Sequence, residues 1–202
     1  MKSKVILTMI YDIKLFPPVI SICNILSELN YEIVYIGGCS DMNTEKVLME
    51  RNHVRFYKTP LYGGNGMQRI IQQWKYRRYV LEMLKNEYVK ETTYLWLLHS
   101  ETVSLFSAYL DKYDVISHLF EFKNPTQKIA YRLLNPCYPF EKNLKKSKKV
   151  ICCEYNRAHI TKSIYDLDKV PYILPNKPYN GNVQIAQSLP FSIPVSYTHL
   201  RA

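Results

Sequence analysis

Short apolar, β-branched runs alternating with longer amphipathic stretches constrain this chain more than any other feature. Lys4–Ile10 (KVILTMI), Glu32–Ile36, Val54–Tyr57, Tyr94–Leu98, Asp114–Phe122, Val150–Cys153 and Tyr172–Leu174 each read as strands. Continuous apolar runs of this length suit strands buried on both faces. Between them the pattern predicts helices from Pro17 to about Leu29, from about Asp41 to Glu50, and over Met67–Lys90, Thr102–Leu110, Thr126–Leu134 and Arg157–Ile164. Pro17 and Pro18 fit a first helical turn, where a missing N–H is not needed. Asp41 or Asn43 offers an oxygen to cap the next helix.

Strands alternating with helices predict an α/β fold, a Rossmann-like, doubly wound parallel sheet. Right-handed crossovers bring the strand C-termini to one edge, and ligands of open α/β sheets bind there. The segments at that edge are Tyr11–Pro18, Gly37–Asp41, Pro60–Gly66, His99–Thr102 and His118–Asn124.

The chain has 202 residues, enough for one domain, or a domain plus a stub, with its own core. Lys and Arg number 27 against 17 Asp and Glu, a net charge of +10 that favours anionic partners: nucleic acid, anionic lipid or a phosphorylated substrate. Five cysteines (Cys23, Cys39, Cys137, Cys152 and Cys153) form no C-x-x-C and no ligand pair at metal spacing. They predict a reduced, cytoplasmic protein without a metal. The apolar run Val5–Ile10 is too short for a signal peptide, and no stretch approaches the roughly 18 residues of a spanning helix.

After Pro178 the alternation breaks. Residues 179–194 are polar with scattered prolines, a linker or the start of a further domain. Residues 195–202 (VSYTHLRA) resemble the translated read-through of a sequencing adapter found at the ends of metagenome-derived reading frames. On that reading the octet is an artefact and the gene continues.

No G-x-G-x-x-G, Walker loop, nucleophile elbow or H-E-x-x-H occurs. Gly63-Gly64-Asn65-Gly66 precedes the long helix, either as backbone N–H donors for a phosphate or as a turn. His99 with Ser100 and Glu101, and His118 with Glu121, fall where the sheet edge belongs. A histidine or tuned carboxylate there can take a proton from an attacking hydroxyl; the same residues also serve simply to fix loops. Arg69, Lys75, Arg77, Arg78 and Lys85 interleave with Trp74, Tyr76 and Tyr79 on the long helix, and Lys142, Lys145, Lys146, Lys148 and Lys149 form a second block. A basic, aromatic face suits an anionic membrane or single-stranded nucleic acid, and also an ordinary solvated surface.

Four segments in order carry a family resemblance: PPVISICNILSELNYEIVYIGG (Pro17–Gly38), LWLLHSET (Leu95–Thr102), VISHLFEF (Val115–Phe122), and KKVICCEYNRAHI (Lys148–Ile160) with PYILPNKP (Pro171–Pro178). Together they resemble the N-terminal domain of GT-B glycosyltransferases of family 4, especially bacterial capsule and lipopolysaccharide enzymes. The resemblance implies that residues 1–178 are the acceptor-side half of a retaining hexosyltransferase. Its nucleotide-sugar donor would sit on a second domain outside this chain, and its acceptor would be lipid-linked or polysaccharide. No cofactor or metal is implied, and the enzyme would be cytoplasmic or peripheral on the inner membrane face.

Carried residue by residue, the resemblance implies His118 or Glu121 as catalytic, with His99, Glu101 and Asn124 on the acceptor. Pro17, Pro18, Gly63 and Gly64 would lie near the donor phosphate, and Arg69, Lys75, Arg77 and Arg78 against a membrane or other anion. Two departures stand out: Tyr11–Pro18 lacks the family's glycine pair, and Asn176-Lys177-Pro178 replaces its Asn-Gly. On this reading the isolated chain has no transferase activity. The reading from another class is a non-enzymatic basic α/β module that binds nucleic acid through the two Lys/Arg clusters.

Overall fold

The structure, a computed structural model, describes residues 3–121 and 143–177. Its strands are β1 (Lys4–Asp12), β2 (Glu32–Gly38), β3 (Arg55–Lys58), β4 (Thr93–Leu98), β5 (Val115–Leu119), β6 (Lys149–Cys152) and β7 (Tyr172–Ile173). They form one parallel sheet in the order β3-β2-β1-β4-β5-β6-β7. The described helices are α1 (Pro17–Glu28), α2 (Met42–Asn52), α3 (Gly66–Glu87), α4 (Ser100–Leu105) and α5 (Tyr155–Ile164).

The unbroken apolar run of β1 follows from burial on both faces. Ile6 and Ile10 enter a core with Tyr76, Val80 and Leu84 of α3. Val5, Leu7 and Met9 enter a second core with Val19, Ile22, Cys23 and Leu26 of α1. Each such side chain contributes roughly 1.5–3 kcal/mol by leaving water. At Gly37 a Cβ would stand 2.8 Å from the Met9 carbonyl oxygen, so only glycine lets β2 lie this close to β1.

Helix ends follow local chemistry. The Asp41 carboxylate accepts the Asn43 and Thr44 amides at the start of α2. Asn65 and Gln68 form a reciprocal capping box at the start of α3. The far end of α3 is tied to the strand starts: the buried Glu87 carboxylate accepts from Lys4, from Arg55 at 3.0 Å and from the Tyr57 hydroxyl at 2.5 Å. Glu32 completes the group, 3.4 Å from Lys4 and paired with Arg55. Burial opposes ionisation of Glu87, but the Lys4 and Tyr57 hydrogen bonds and the two cations outweigh it and hold the carboxyl below its ordinary range.

Three elements differ from the sequence expectation. The helix expected over Thr102–Leu110 is instead α4, starting at Ser100 and ending at Leu105, then a 3-10 turn at Ser107–Tyr109. The Phe106 amide is shared between the Thr102 and Val103 carbonyls, which marks where the α-helix tightens. Helix α3 stops at Glu87 rather than Lys90, because Glu87 is anchored and Tyr88 turns extended, its hydroxyl accepting the Asp114 amide. β1 continues to Asp12, whose carboxylate accepts the Lys14 and Ser40 amides. The helix expected at Thr126–Leu134, Asn124, and the segments 179–194 and 195–202 lie outside the described residues.

Candidate functional site

The strand order reverses between β1 and β4, because β2 and β3 extend the sheet one way and β4 to β7 the other. Such a switch point opens a crevice beyond the carboxyl ends of the two strands. Three separate stretches of the chain meet there. Tyr11 comes from the end of β1, Phe16 from the turn before α1, His99 from the end of β4 and Phe120 from the end of β5.

His99 is the centre of this group. Its ring lies edge-on to Tyr11 at 4.7 Å and to Phe16 at 5.5 Å between centroids. Phe16 in turn stacks on Phe120 at 5.9 Å. The residue is 8% exposed and caps α4 with an unusual backbone, φ 76° and ψ 141°. Backbone strain of this kind costs about 1–3 kcal/mol and persists only where the surroundings impose it. Here the His99 amide donates to the His118 carbonyl at 2.9 Å, and Nδ1 accepts the Glu101 amide at 3.2 Å. An Nδ1 that accepts leaves the proton of the neutral ring on Nε2, which makes His99 a hydrogen-bond donor through that nitrogen.

Glu101 looks away from this ring. Its carboxylate accepts from Gln73 Nε2 at 2.8 Å, and the same nitrogen donates to the Tyr62 hydroxyl at 2.9 Å. Tyr62 packs edge-on against Tyr11 at 5.3 Å, so this part-buried bridge ties α3 to the crevice.

Beside the aromatic group lies a cleft of about 500 Å³, lined by Phe16, Pro18, Phe120, Glu121, Arg157 and Asn176. Arg157 donates to the Phe120 carbonyl at 3.0 Å and pairs with Glu154 at 2.7 Å, which fixes the cleft wall. The structure therefore joins Pro18 and Glu121, which the sequence placed only on a common edge. Pro17 opens α1 next to them.

His118 sits differently. It is 1% exposed, with its ring 4.4 Å from Phe120 and 6.0 Å from Trp96. Neither ring nitrogen has a hydrogen-bond partner among the described residues. Burial pushes its pKa down to about 3, so the imidazole is neutral across the ordinary pH range. The side chain of His118 lies within the sheet face, whereas Glu121 is exposed in the cleft.

The glycine loop is largely occupied by its own bonds. The Gly63 amide donates to Gln72 Oε1 at 2.9 Å, and Gly64 takes φ 91°, a value that suits glycine. A further cavity of about 380 Å³ adjoins this loop, between Thr59, Pro60, Tyr62, Lys75, Tyr76 and Tyr79. The buried Thr59 hydroxyl has no partner among the described residues. Sequence reasoning placed Tyr11, Phe16 and Phe120 inside edge segments without giving them a role, and missed Thr59 and Arg157. The aromatic richness of the loop after β1 was the one available signal.

Among the described residues no group of three His, Cys, Asp or Glu side chains is placed to hold a metal. No described helix is long and apolar enough to cross a membrane.

No protein-family model matches this sequence, and no curated protein sequence does. Solved structures do match the fold. A glycosyltransferase from Rickettsia africae ESF-5 superposes with a TM-score of 0.55 at 10% identity, covering 85% of this chain and 42% of that one. The N-terminal domain of Candida albicans trehalose-6-phosphate phosphatase gives 0.53 at 10% identity, covering 81% and 43%. Acinetobacter baumannii MurG gives 0.49 at 11% identity, covering 87% and 45%. This chain thus spans less than half the length of the structures it resembles. The likeness establishes the fold: a Rossmann-like parallel α/β domain of the kind found in GT-B-like glycosyltransferases.

Proposed function

We propose that this chain is the acceptor-side portion of a glycosyltransferase that moves a hexose from a nucleotide-sugar to a lipid-linked or polysaccharide acceptor, with retention. The observation that carries this reading is the crevice at the switch point. There the half-buried Phe16, backed by the buried Phe120, gives an apolar surface for a sugar ring, Glu121 stands on the rim, and His99 is held in one tautomer. Aromatic faces suit the C–H surface of a pyranose, while a carboxylate and an N–H donor suit its hydroxyls. In this reading Glu121 takes the acceptor proton and His99 Nε2–H orients a substrate oxygen. His118 acts from behind, by shaping Phe120 and carrying the carbonyl that anchors His99. Asn124 stays an acceptor-side candidate, and Pro17, Pro18, Gly63 and Gly64 line the approach on the donor side. Phosphate neutralisation and the nucleotide pocket belong to a portion outside this chain.

The test is transfer by the full-length gene product, offered a panel of nucleotide-hexoses with a membrane lipid extract or oligosaccharide acceptors. Transfer is expected, and Glu121→Gln should lower turnover about a hundredfold or more. The isolated chain should be silent in the same assay. Full-length protein that neither transfers nor hydrolyses any donor overturns the proposal, and turnover by the isolated chain overturns the assignment of donor binding elsewhere.

A further inference from the structure

The ends of β1 and β3 and the facing side of α3 enclose a cavity that the crevice at His99 does not use. β1 supplies Ile10, the end of β3 supplies Lys58 and Thr59, and α3 supplies Lys75, Tyr76 and Tyr79. Tyr62 closes the side toward the crevice, since it lines the cavity and also packs on Tyr11, which in turn meets His99. The volume of about 380 Å³ is at the small end of the range for small-molecule sites. It has room for one sugar ring with a charged substituent and not for an oligosaccharide.

Rings, a hydroxyl and a cation decide what fits. The Tyr76 hydroxyl bonds the Thr8 hydroxyl at 2.5 Å, and the Tyr62 hydroxyl accepts from Gln73 at 2.9 Å. These two residues therefore offer the cavity ring surface, which suits the C–H side of a pyranose. Thr59 is 4% exposed, and its hydroxyl has no partner among the described residues. A buried hydroxyl in that state is costly, and a turn about one side-chain bond brings it to a ligand hydroxyl. Of the two lysines in the wall, Lys58 is already paired with Glu45 at 2.7 Å, whereas Lys75 has no carboxylate partner among the described residues. The other cations of α3 serve elsewhere. Arg77 lies over the Trp74 ring at 4.6 Å, Arg78 pairs with Glu82 at 3.2 Å, and the exposed Arg69 does not line the cavity. One uncommitted cation calls for one anionic group.

We propose that this cavity is a second binding site, taking a monosaccharide that bears a single anionic group, a carboxylate or a phosphate. Lys75 meets the anion, Thr59 a ring hydroxyl, and Tyr62, Tyr76 and Tyr79 the ring itself. The proposal stands apart from sugar transfer, since every group it invokes belongs to this cavity.

The 202-residue chain provides the test, by calorimetric titration with glucuronic acid, glucose 6-phosphate, glucose, inorganic phosphate and benzoate. At least one charged sugar should bind, and the tighter of the two identifies the anion. Glucose, inorganic phosphate and benzoate should each bind about tenfold more weakly or worse. Lys75→Gln should weaken the charged sugar about tenfold and leave glucose unchanged. Arg78→Gln, the same charge loss on the same helix but outside the cavity, should change nothing. Thr59→Val should weaken binding about fivefold with Tm unchanged or raised, because it removes an unmet hydroxyl. The proposal is overturned if neither charged sugar binds, or if glucose, phosphate or benzoate binds as tightly as the better of them. Equal losses from Lys75→Gln and Arg78→Gln would overturn it too, as would a Thr59→Val variant that loses Tm and keeps full binding. Full-length protein that transfers no sugar would leave this site standing, so the two proposals fail separately.

Discussion

The two edges of the sheet are built on opposite principles. At the amino edge, Lys4, Glu32, Arg55, Tyr57 and Glu87 tie the starts of β1, β2 and β3 to the end of α3 through mutually satisfied charges. At the carboxyl edge, His99 holds a strained backbone among aromatic rings, and the buried His118 and Thr59 carry polar atoms without a partner among the described residues. The first edge secures the domain with paired charges; the second sets the extended positive-φ backbone of His99 beside two buried polar side chains that have unpartnered atoms among the described residues.

The largest effect should come from opening the secure edge. Glu87→Ala leaves the part-buried Lys4 and the Tyr57 hydroxyl without their buried acceptor, with Glu32 as the carboxylate that remains to Lys4 and Arg55, and should cost about 2 kcal/mol in urea unfolding. A loss under about 1 kcal/mol would erase the contrast.

Acid should act next, and at the other edge first. His118 is depressed from 6.5 to about 3, so the unfolded chain binds a proton that the folded chain refuses. The stability that rests on neutral His118 is therefore complete above pH 6.5 and declines as pH falls, by about 2 kcal/mol at pH 5. His118→Phe should flatten that decline in a series of thermal melts. Glu87 is also lowered, so its share is intact above the ordinary glutamate range and is lost only as pH falls below about 4.3. The two windows separate the edges.

Smaller effects sharpen the picture. His99→Gly relieves the positive φ but loses the ring contacts, so stability should move by less than about 1 kcal/mol while transfer by the full-length protein collapses. Arg78→Ala, which opens an exposed pair with Glu82, should change stability by less than about 0.5 kcal/mol.

Much of the fold was legible because its strands are continuous apolar runs and its helices carry periodic stripes and caps. That same continuity hid the direction of His118. When both faces of a strand are buried, no alternation tells which side chain faces the rim and which faces the interior. Position at a strand end was readable for His118, Glu121 and His99, but orientation was not. The partnership of Tyr11, Phe16, His99 and Phe120 was beyond local pattern, since it arises only when strands far apart in sequence become neighbours. Helix α4 was misplaced for a related reason. Its first residues are held by His99 and not by an apolar stripe.

One consequence of the strand order concerns how the chain is made. β1 lies between β2 and β4, with Lys4 in register with Glu32 on one side and Thr93 on the other. On a ribosome, β1 meets its first neighbour early and its second only after β3 and α3 have emerged, a wait of seconds at ordinary synthesis rates. During that wait one side of the most apolar strand is an open edge, able to pair with any other nascent chain. The basic helix α3 is the last element made before β4 closes that edge, and its inward face is what can shield β1 until then.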